Sequence, residues 1–164
     1  MDPNFPPTPR PTTDLGVTDL RYNGIAAAVM VECGAALTLD RVLHAGRTIA
    51  LNHATAAITL CAALGTGARF RFVVTLAGAP TLACTPTTDF LFGVVFINDA
   101  GDTSAATADA YPTASNSNKF TGAVAGGFGR VGDVIEIQDF AAGKWEIKGF
   151  SGSATDPVTP FSNV

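Results

Sequence analysis

Few residues in this chain have the types and spacing that catalysis or metal binding requires. The only histidines are His44 and His53, and neither lies near a pattern of cysteines or acidic residues with metal-ligand spacing. The chain has no GxSxG or HExxH motif and no pairing of Ser, His and Asp that a sequence supports on its own. His44 precedes Ala45-Gly46-Arg47, so we expect it to fix a turn. We therefore predict a protein that is not an enzyme and has no catalytic residues, cofactor or metal.

Two further segments resemble ligand-binding loops but lack the required context. The glycine-rich segment GGFGRVG, residues 126–132, resembles a phosphate-binding loop, which needs a preceding strand, a following helix and a Lys-Ser/Thr pair. An apolar strand-like run follows it instead, and we interpret the segment as a turn or bulge. Asp99, Asp102 and Asp109 surround Gly101, but their spacing is too short for a calcium loop, which favours a solvated turn.

Composition excludes several classes of partner and compartment. The net charge is −4 and the ten basic residues are scattered, so no basic face for nucleic acid is predicted. The chain has no apolar run of the length of a membrane helix, and its first residues do not resemble a secretory signal. Three isolated cysteines, Cys33, Cys61 and Cys84, indicate folding in a reducing cytoplasm rather than a disulfide framework.

The charged fraction is only 15%, well below the usual quarter or so. Thr, Ser, Ala, Asn and Gly must therefore form much of the surface. Depletion of charge is typical of the centres of protein interfaces, so a protein that sits among other proteins fits this composition. A small Gly- and Thr-rich β-domain with no partner fits it as well.

The core of the predicted fold is the stretch 37–75. Three short runs in it alternate apolar and polar residues: 48–52, 57–60 and 69–74. Alternate side chains of a strand face opposite ways, so each run has one buried face and one wet face. Thr81–Cys84 is a further short strand, and Ile25–Cys33 favours a strand over a helix. The sequence predicts an all-β protein with a single β-sandwich or barrel-like domain over residues 23–164.

Two later segments are also expected in strands. Phe90–Ile97 is continuously apolar, which predicts a strand buried on both faces, with Gly93 at a bulge or a close backbone approach. Residues 134–138 and 144–150 predict a hairpin linked by residues 139–143. Its charged side chains, Glu136, Glu146, Lys144 and Lys148, are expected on the wet side.

Residues 1–22 form a distinct N-terminal arm. Five of the ten prolines lie in the first eleven positions, and proline is excluded from helix interiors and central strands. We expect an extended, polyproline-like arm whose contacts come from Phe5, Pro7, Arg10, Leu15, Leu20 and Tyr22. These side chains either anchor the arm on a neighbouring chain or fold back on their own domain. Residues 103–119 are expected as a long exposed loop or irregular edge, with Tyr111 and nearby Phe120 as candidate contacts.

Parts of the sequence resemble a known protein family. The runs LHAGRTIALN and ITLCAALGTGARFRFVV, with the C-terminal part from Gly129 to Val164, resemble small head decoration, or cement, proteins of tailed bacteriophages. That family tends to show a Gly-Asp pair, an apolar strand, an acidic residue, a tryptophan strand and a TPF-like ending. Here these match Gly132-Asp133, Val134 to Ile137, Asp139, Trp145 and Thr159-Pro160-Phe161. The similarity covers roughly residues 37–164, excluding 100–120.

The resemblance implies a non-enzymatic virion protein, made in the host cytoplasm, that binds the outside of the head at subunit junctions. It further implies a homotrimer that contacts the major capsid protein and stabilises the shell. A tail or fibre component that binds a receptor or glycan is the alternative, and a small hydrolase is a third hypothesis without a supporting constellation.

Overall fold

The computed structural model describes residues 30–99, 108–153, 155 and 157–163. The predicted arm, with Phe5, Pro7, Arg10, Leu15, Leu20 and Tyr22, lies outside these residues, as do 25–29 of the predicted first strand. The described chain is built almost entirely of strands, which confirms the all-β class. In order they are β1 Val31–Cys33, β2 Ala36–Thr38, β3 Thr48–Leu51, β4 Ala57–Leu60, β5 Arg69–Val74, β6 Thr81–Cys84, β7 Phe90–Asp99, β8 Ala108–Pro112, β9 Lys119–Thr121, β10 Val134–Ala141, β11 Lys144–Ser153 and β12 Phe161–Ser162.

One short helix, α1 (Arg41–His44), lies between β2 and β3. Its N-cap is Asp40, whose side chain accepts hydrogen bonds from the backbone N–H groups of Val42 and Leu43 at 2.7 and 3.0 Å. Within the described residues, no helix has the length and hydropathy needed to cross a bilayer.

The strands form two mixed sheets. The seven-stranded sheet has the order β1-β3-β5-β10-β11-β7-β8, and the five-stranded sheet has the order β12-β9-β6-β4-β2. From β1 to β6 the chain alternates between the two sheets, so β1, β3 and β5 pair in parallel and so do β2, β4 and β6. The crossings need turns with φ > 0, which Gly46, Gly65 and Gly67 supply.

One hydrophobic cluster joins the inward side chains of both sheets. Its largest fully buried members are Trp145, Phe70, Phe72, Phe120 and Phe128. In β5 the alternation Arg-Phe-Arg-Phe-Val-Val places both phenylalanines in this core and both arginines outside, as the sequence predicts. The long hairpin β10–β11 contributes Ile135, Ile137, Trp145 and Ile147 to the same core.

The predicted hairpin is confirmed, but its strands are longer than expected. Residues 139–141 continue β10, and only Ala142 and Gly143 connect it to β11. Of the two expectations for residues 103–119, a long exposed loop or an irregular edge, the described part fits the edge, because it contains the exposed edge strand β8 and the first residue of β9. Gly93 is a close backbone approach rather than a bulge: it pairs in register with Ile147, and a side chain there would collide with that residue's carbonyl.

Candidate functional site: the outer face of the seven-stranded sheet

The outer face of β7, β10 and β11 carries a group of phenylalanine side chains. Leu91, Val95 and Ile97 of β7 point into the core, whereas Phe92 and Phe96 point outward. Phe140 of β10 and Phe150 of β11 join them on this face. The exposed fractions are 39% for Phe96, 47% for Phe140 and 69% for Phe150. Adjoining exposed aromatics of this kind mark interaction surfaces far more often than isolated apolar residues do.

The first of two aromatic patches is a continuous apolar row across five strands. The strand registers align Val73, Val134, Phe150, Phe96 and Ala110 side by side on the outer face. The rings of Phe96 and Phe150 stack with centroids 5.7 Å apart and planes 14° from parallel. We call these five residues the aromatic row. Because the stacked rings lie flat against each other, they present a rigid apolar surface at low cost in side-chain entropy.

The second patch is a cleft at the other end of the same face. Phe92 and Phe140 meet nearly at right angles, with centroids 6.1 Å apart and planes at 87°. The cleft beside them has a volume of about 420 Å³ and is also lined by Gly93, Gln138 and Glu146. Lys144 Nζ lies 5.7 Å from the centroid of the Phe92 ring. We call the five lining residues the aromatic groove.

A band of charged and polar side chains lies between the aromatic row and the two phenylalanines of the aromatic groove, and it includes the groove residues Glu146 and Gln138. Arg71 Nε lies 3.5 Å from Glu136 Oε1, and Lys148 Nζ lies 2.8 Å from Glu146 Oε1. Arg69 Nε donates a 2.9 Å hydrogen bond to Gln138 Oε1. Three bases face two acids in this band and Arg47 lies beside them, so the band has a small positive excess rather than the extended basic surface that binds a phosphate backbone. The outer face is therefore suited to a protein or peptide partner more than to nucleic acid.

Three buried aspartates stabilise loops rather than forming a reaction centre. Asp139 Oδ1 accepts from the N–H of Gly65 at 2.6 Å, and its Oδ2 accepts from Leu64 and Thr66 at 3.1 and 3.2 Å. Arg41 Nη2 lies 3.2 Å from Asp139 Oδ2. Burial by itself would raise the pKa of Asp139, but the hydrogen bonds from Gly65, Leu64 and Thr66 outweigh it and lower that pKa.

Asp133 and Asp89 act in the same way. Asp133 Oδ2 accepts from Gly129 N–H, Arg130 N–H and the Ser151 hydroxyl, each at 2.8 Å. These bonds hold the glycine-rich segment, which strand β10 follows, so it is a turn as predicted. Asp89 Oδ2 accepts from Ala63 N–H at 2.6 Å. All three carboxylates are already occupied by protein donors.

The histidines and cysteines likewise have structural surroundings. His44 Nδ1 accepts from Asp40 N–H at 2.9 Å, so its side chain contacts the start of α1 rather than the following turn at residues 45–47, where it was expected. His53 Nδ1 accepts from Thr55 N–H at 3.2 Å. Burial raises the pKa of all three cysteine thiols, that of Cys84 to about 12. Across the described part of the chain, His, Cys, Asp and Glu form no group of three that could hold a metal.

The two described contact candidates from the sequence do not lie on the aromatic face. Phe120 is fully buried in β9 between Phe128 and Phe161, so its assignment as a surface contact is wrong. The sequence predicts it at the end of a polar loop, whereas it is the middle residue of β9, whose inner face closes the core. Tyr111 is half-buried, and its hydroxyl donates to the Pro157 carbonyl at 3.0 Å.

Sequence reasoning missed Phe96, Phe140 and Phe150. The signal was present in Phe90–Ile97, whose continuous apolar character predicted burial on both faces. In the single chain only one face is buried, because Phe92 and Phe96 lie on the uncovered side.

A comparison with protein-family models, with curated proteins and with solved structures found no match for this chain.

Proposed function

We propose that this chain is a virion structural protein that binds the outside of a tailed-phage head at subunit junctions and stabilises the shell. In this proposal the two sheets form a β-sandwich body, the partner is the major capsid protein, and the protein is a homotrimer. The aromatic row is the single observation that carries it. An apolar strip that crosses five strands, on a face with only a small positive excess, fits a flat protein partner.

A surface of this kind fits the way in which a cement protein would stabilise a head. A filled head resists internal pressure, and a clamp that spans a junction opposes separation of the subunits. Burying a ring such as Phe150 contributes about 2 kcal/mol, so one row alone binds weakly. A trimer presents three rows and three N-terminal arms, and multivalent attachment raises the overall affinity without any stronger single contact.

Reconstitution on purified heads tests the proposal. Full-length protein is mixed with heads that lack it, bound protein is measured by sedimentation, and its position is determined by cryo-electron microscopy. We expect density on the outer shell and a higher temperature of head disruption. Density at the tail would favour the receptor- or glycan-binding alternative, and no association with the particle would contradict both.

Variants then identify the surface. Phe150→Ser should reduce occupancy of the shell by about tenfold, because it removes one buried ring from each protomer. Val42→Ser on α1 is the matched control, since Val42 is 92% exposed and belongs to α1 rather than to the aromatic row. Deletion of residues 1–20 should leave a folded domain that no longer binds heads. Equal binding of Phe150→Ser, Val42→Ser and the unmodified chain would exclude the aromatic row as the contact.

A further inference from the structure

The aromatic groove has the features of a receptor for an extended, proline-rich peptide. The rings of Phe92 and Phe140 lie nearly at right angles beside the cleft, and Gly93 of β7 adds no side chain to it. Aromatic-lined grooves bind polyproline segments because pyrrolidine rings pack flat against aromatic faces, and the segment is already extended before it binds. Gln138 adds an amide that can donate to the peptide carbonyls, which a polyproline helix leaves without internal partners.

One carboxylate, that of Glu146, lines the groove, and Lys148, Lys144 and Arg69 lie around it. The carboxylate is shared with Lys148 Nζ at 2.8 Å on the side facing the aromatic row. The ammonium group of Lys144 lies 5.7 Å from the centroid of the Phe92 ring. Lys148 lies on Glu146 Oε1, which leaves Oε2 for a ligand, so the guanidinium of a ligand that combines prolines with one neighbouring arginine can pair with Glu146 from the cleft side.

The chain itself contains one segment of this composition. Residues 3–11, PNFPPTPRP, hold five prolines and a single basic residue, Arg10, with the spacing Pro6-x-x-Pro9-Arg10. Phe5 gives the same segment an aromatic ring. No second segment of the sequence has this density of prolines, since the other five are dispersed between Pro80 and Pro160.

The connection is long enough for the segment to reach the groove of its own chain. Eighteen residues separate Pro11 from Met30, where the described chain begins next to β1. In the seven-stranded sheet β10 is the third strand from β1 and β7 is the fifth, which corresponds to about 14 and 24 Å. Eighteen residues span up to roughly 60 Å when extended. A tether of this length holds the segment near the groove at an effective concentration of about millimolar.

We propose that Pro3–Pro11 docks in the aromatic groove of its own chain when the protein is not bound to a partner. Phe92 and Phe140 pack against the prolines, and Glu146 pairs with Arg10. The docked segment covers the groove and withholds the arm from other partners. The docking stands independently of the proposed function; only its consequence for shell binding rests on that function.

Photo-cross-linking of the full chain tests the docking. A photoreactive benzoylphenylalanine replaces Phe5, and an equal mixture of ¹⁴N- and ¹⁵N-labelled protein is irradiated and analysed by mass spectrometry. We expect adducts with peptides containing Phe92, Phe140 or Glu146, joined only within one isotope label. Adducts that mix the labels would show that a second copy occupies the groove and would overturn the proposal. Adducts elsewhere on the domain, or none, would overturn it too.

Charge reversal tests the Arg10–Glu146 pair, because a second reversal would not restore a cross-link lost through a general loss of packing. Glu146→Arg should lower the yield of the groove adduct by about fivefold, and adding Arg10→Glu should restore it. Val42→Ser is the control for an exposed substitution outside the groove, and circular dichroism verifies that each variant is folded. Failure of the double variant to recover the adduct would exclude the Arg10–Glu146 pair and with it the proposed docking.

Shell binding separates this inference from the proposed function. If both hold, Phe140→Ser abolishes the cross-link and increases binding to heads, because the arm no longer has a competing site. A groove cross-link in a protein that never binds heads supports the docking and contradicts the proposed function. Head binding by a protein without the cross-link supports the function and contradicts the docking.

Discussion

The outward faces of the two sheets carry very different side chains, although both sheets alternate buried and exposed positions. On the five-stranded sheet the outward row of central residues consists of Thr38, Thr59, Ala83, Lys119 and Ser162. The next row has only Ala and Thr side chains. On the seven-stranded sheet the corresponding rows contain a group of phenylalanines and three pairs of polar or charged partners.

This difference shows that the low charge of the chain does not by itself locate an interface. The face with the fewest charges is the Thr- and Ala-rich face of the five-stranded sheet, which has the composition of an ordinary solvated surface. The aromatic patches lie instead on the face that carries most of the charged strand residues. Aromatic residues bordered by polar ones are the pattern expected where a partner covers the centre of a patch and leaves its rim wet.

The largest expected effect compares two phenylalanines on opposite faces. Phe120 is fully buried between Phe128 and Phe161, so Phe120→Ala should lower the free energy of unfolding by about 4 kcal/mol. Phe150→Ala removes a mostly exposed ring and should cost less than about 1 kcal/mol. Urea denaturation of both variants measures the difference. Equal losses of stability would mean that the outer phenylalanines belong to the core and do not form a binding surface.

The next effect concerns the buried carboxylate beneath the aromatic groove. Asp139→Asn leaves Arg41 without its charged partner and weakens the hydrogen bonds to Gly65 and Thr66, so we expect a loss of about 3 kcal/mol. Asp109→Asn on the edge strand β8 is the control and should change stability by less than about 0.5 kcal/mol, since Asp109 is exposed. Phe140 follows Asp139 in β10, so Asp139→Asn should also weaken the groove cross-link. A cross-link of normal yield in a destabilised Asp139→Asn protein would show that the groove forms without this carboxylate.

Asp139 also illustrates what the sequence predicts and what it does not. The alternation in β4, β5 and the hairpin correctly indicated the strands, because period-two burial leaves a direct record in residue type. The run at β3 is also a strand, but Ile49, Ala50 and Leu51 are all buried, so the predicted wet face of that run was wrong. Asp139 was assigned to a link because a carboxylate inside a strand is recognisable only from its distant partners, Leu64 to Thr66 and Arg41. The order of the strands in the sheets could not be predicted from the sequence either, since parallel pairing of alternate strands produces no pattern in neighbouring residues.

The aromatic face was only half predictable. The run Phe90–Ile97 indicated two apolar faces, but not which one the protein itself would cover. Phe150 belongs to the surface through the register of β11 and β7, which aligns it with Phe96, 54 positions earlier in the chain. Phe140 lies at the irregularity in the β10–β11 pairing between Asp139 and Ala141. Phe120 was misplaced for the opposite reason: its polar sequence neighbours concealed an inward-facing strand position.

A third prediction uses pH to measure how much the buried carboxylate of Asp139 contributes to stability. The folded pKa of Asp139 is lower than its ordinary value of 3.8, so its contribution to stability is complete above that value. The contribution should be lost as the pH falls through about 3.8 towards the folded pKa, with a slope of at most about 1.4 kcal/mol per pH unit. Urea denaturation between about pH 2 and pH 6 should show a shallower slope for Asp139→Asn than for the unmodified chain. Parallel curves for the two proteins would mean that another carboxylate governs the acid sensitivity.

The smallest expected effect is on the charged band between the aromatic row and the aromatic groove. Arg71 and Glu136 are both exposed and 3.5 Å apart, and exposed pairs of this kind contribute roughly 0–1 kcal/mol. Arg71→Gln should therefore leave the urea midpoint almost unchanged, and the small difference should vanish at high salt because of screening. A clear loss of stability would mean that this band holds the sheet together. The near-neutral result that we expect would mean that these charges contribute little to stability. Their role would then be recognition of a partner, because charges between two apolar patches fix the register in which the partner binds.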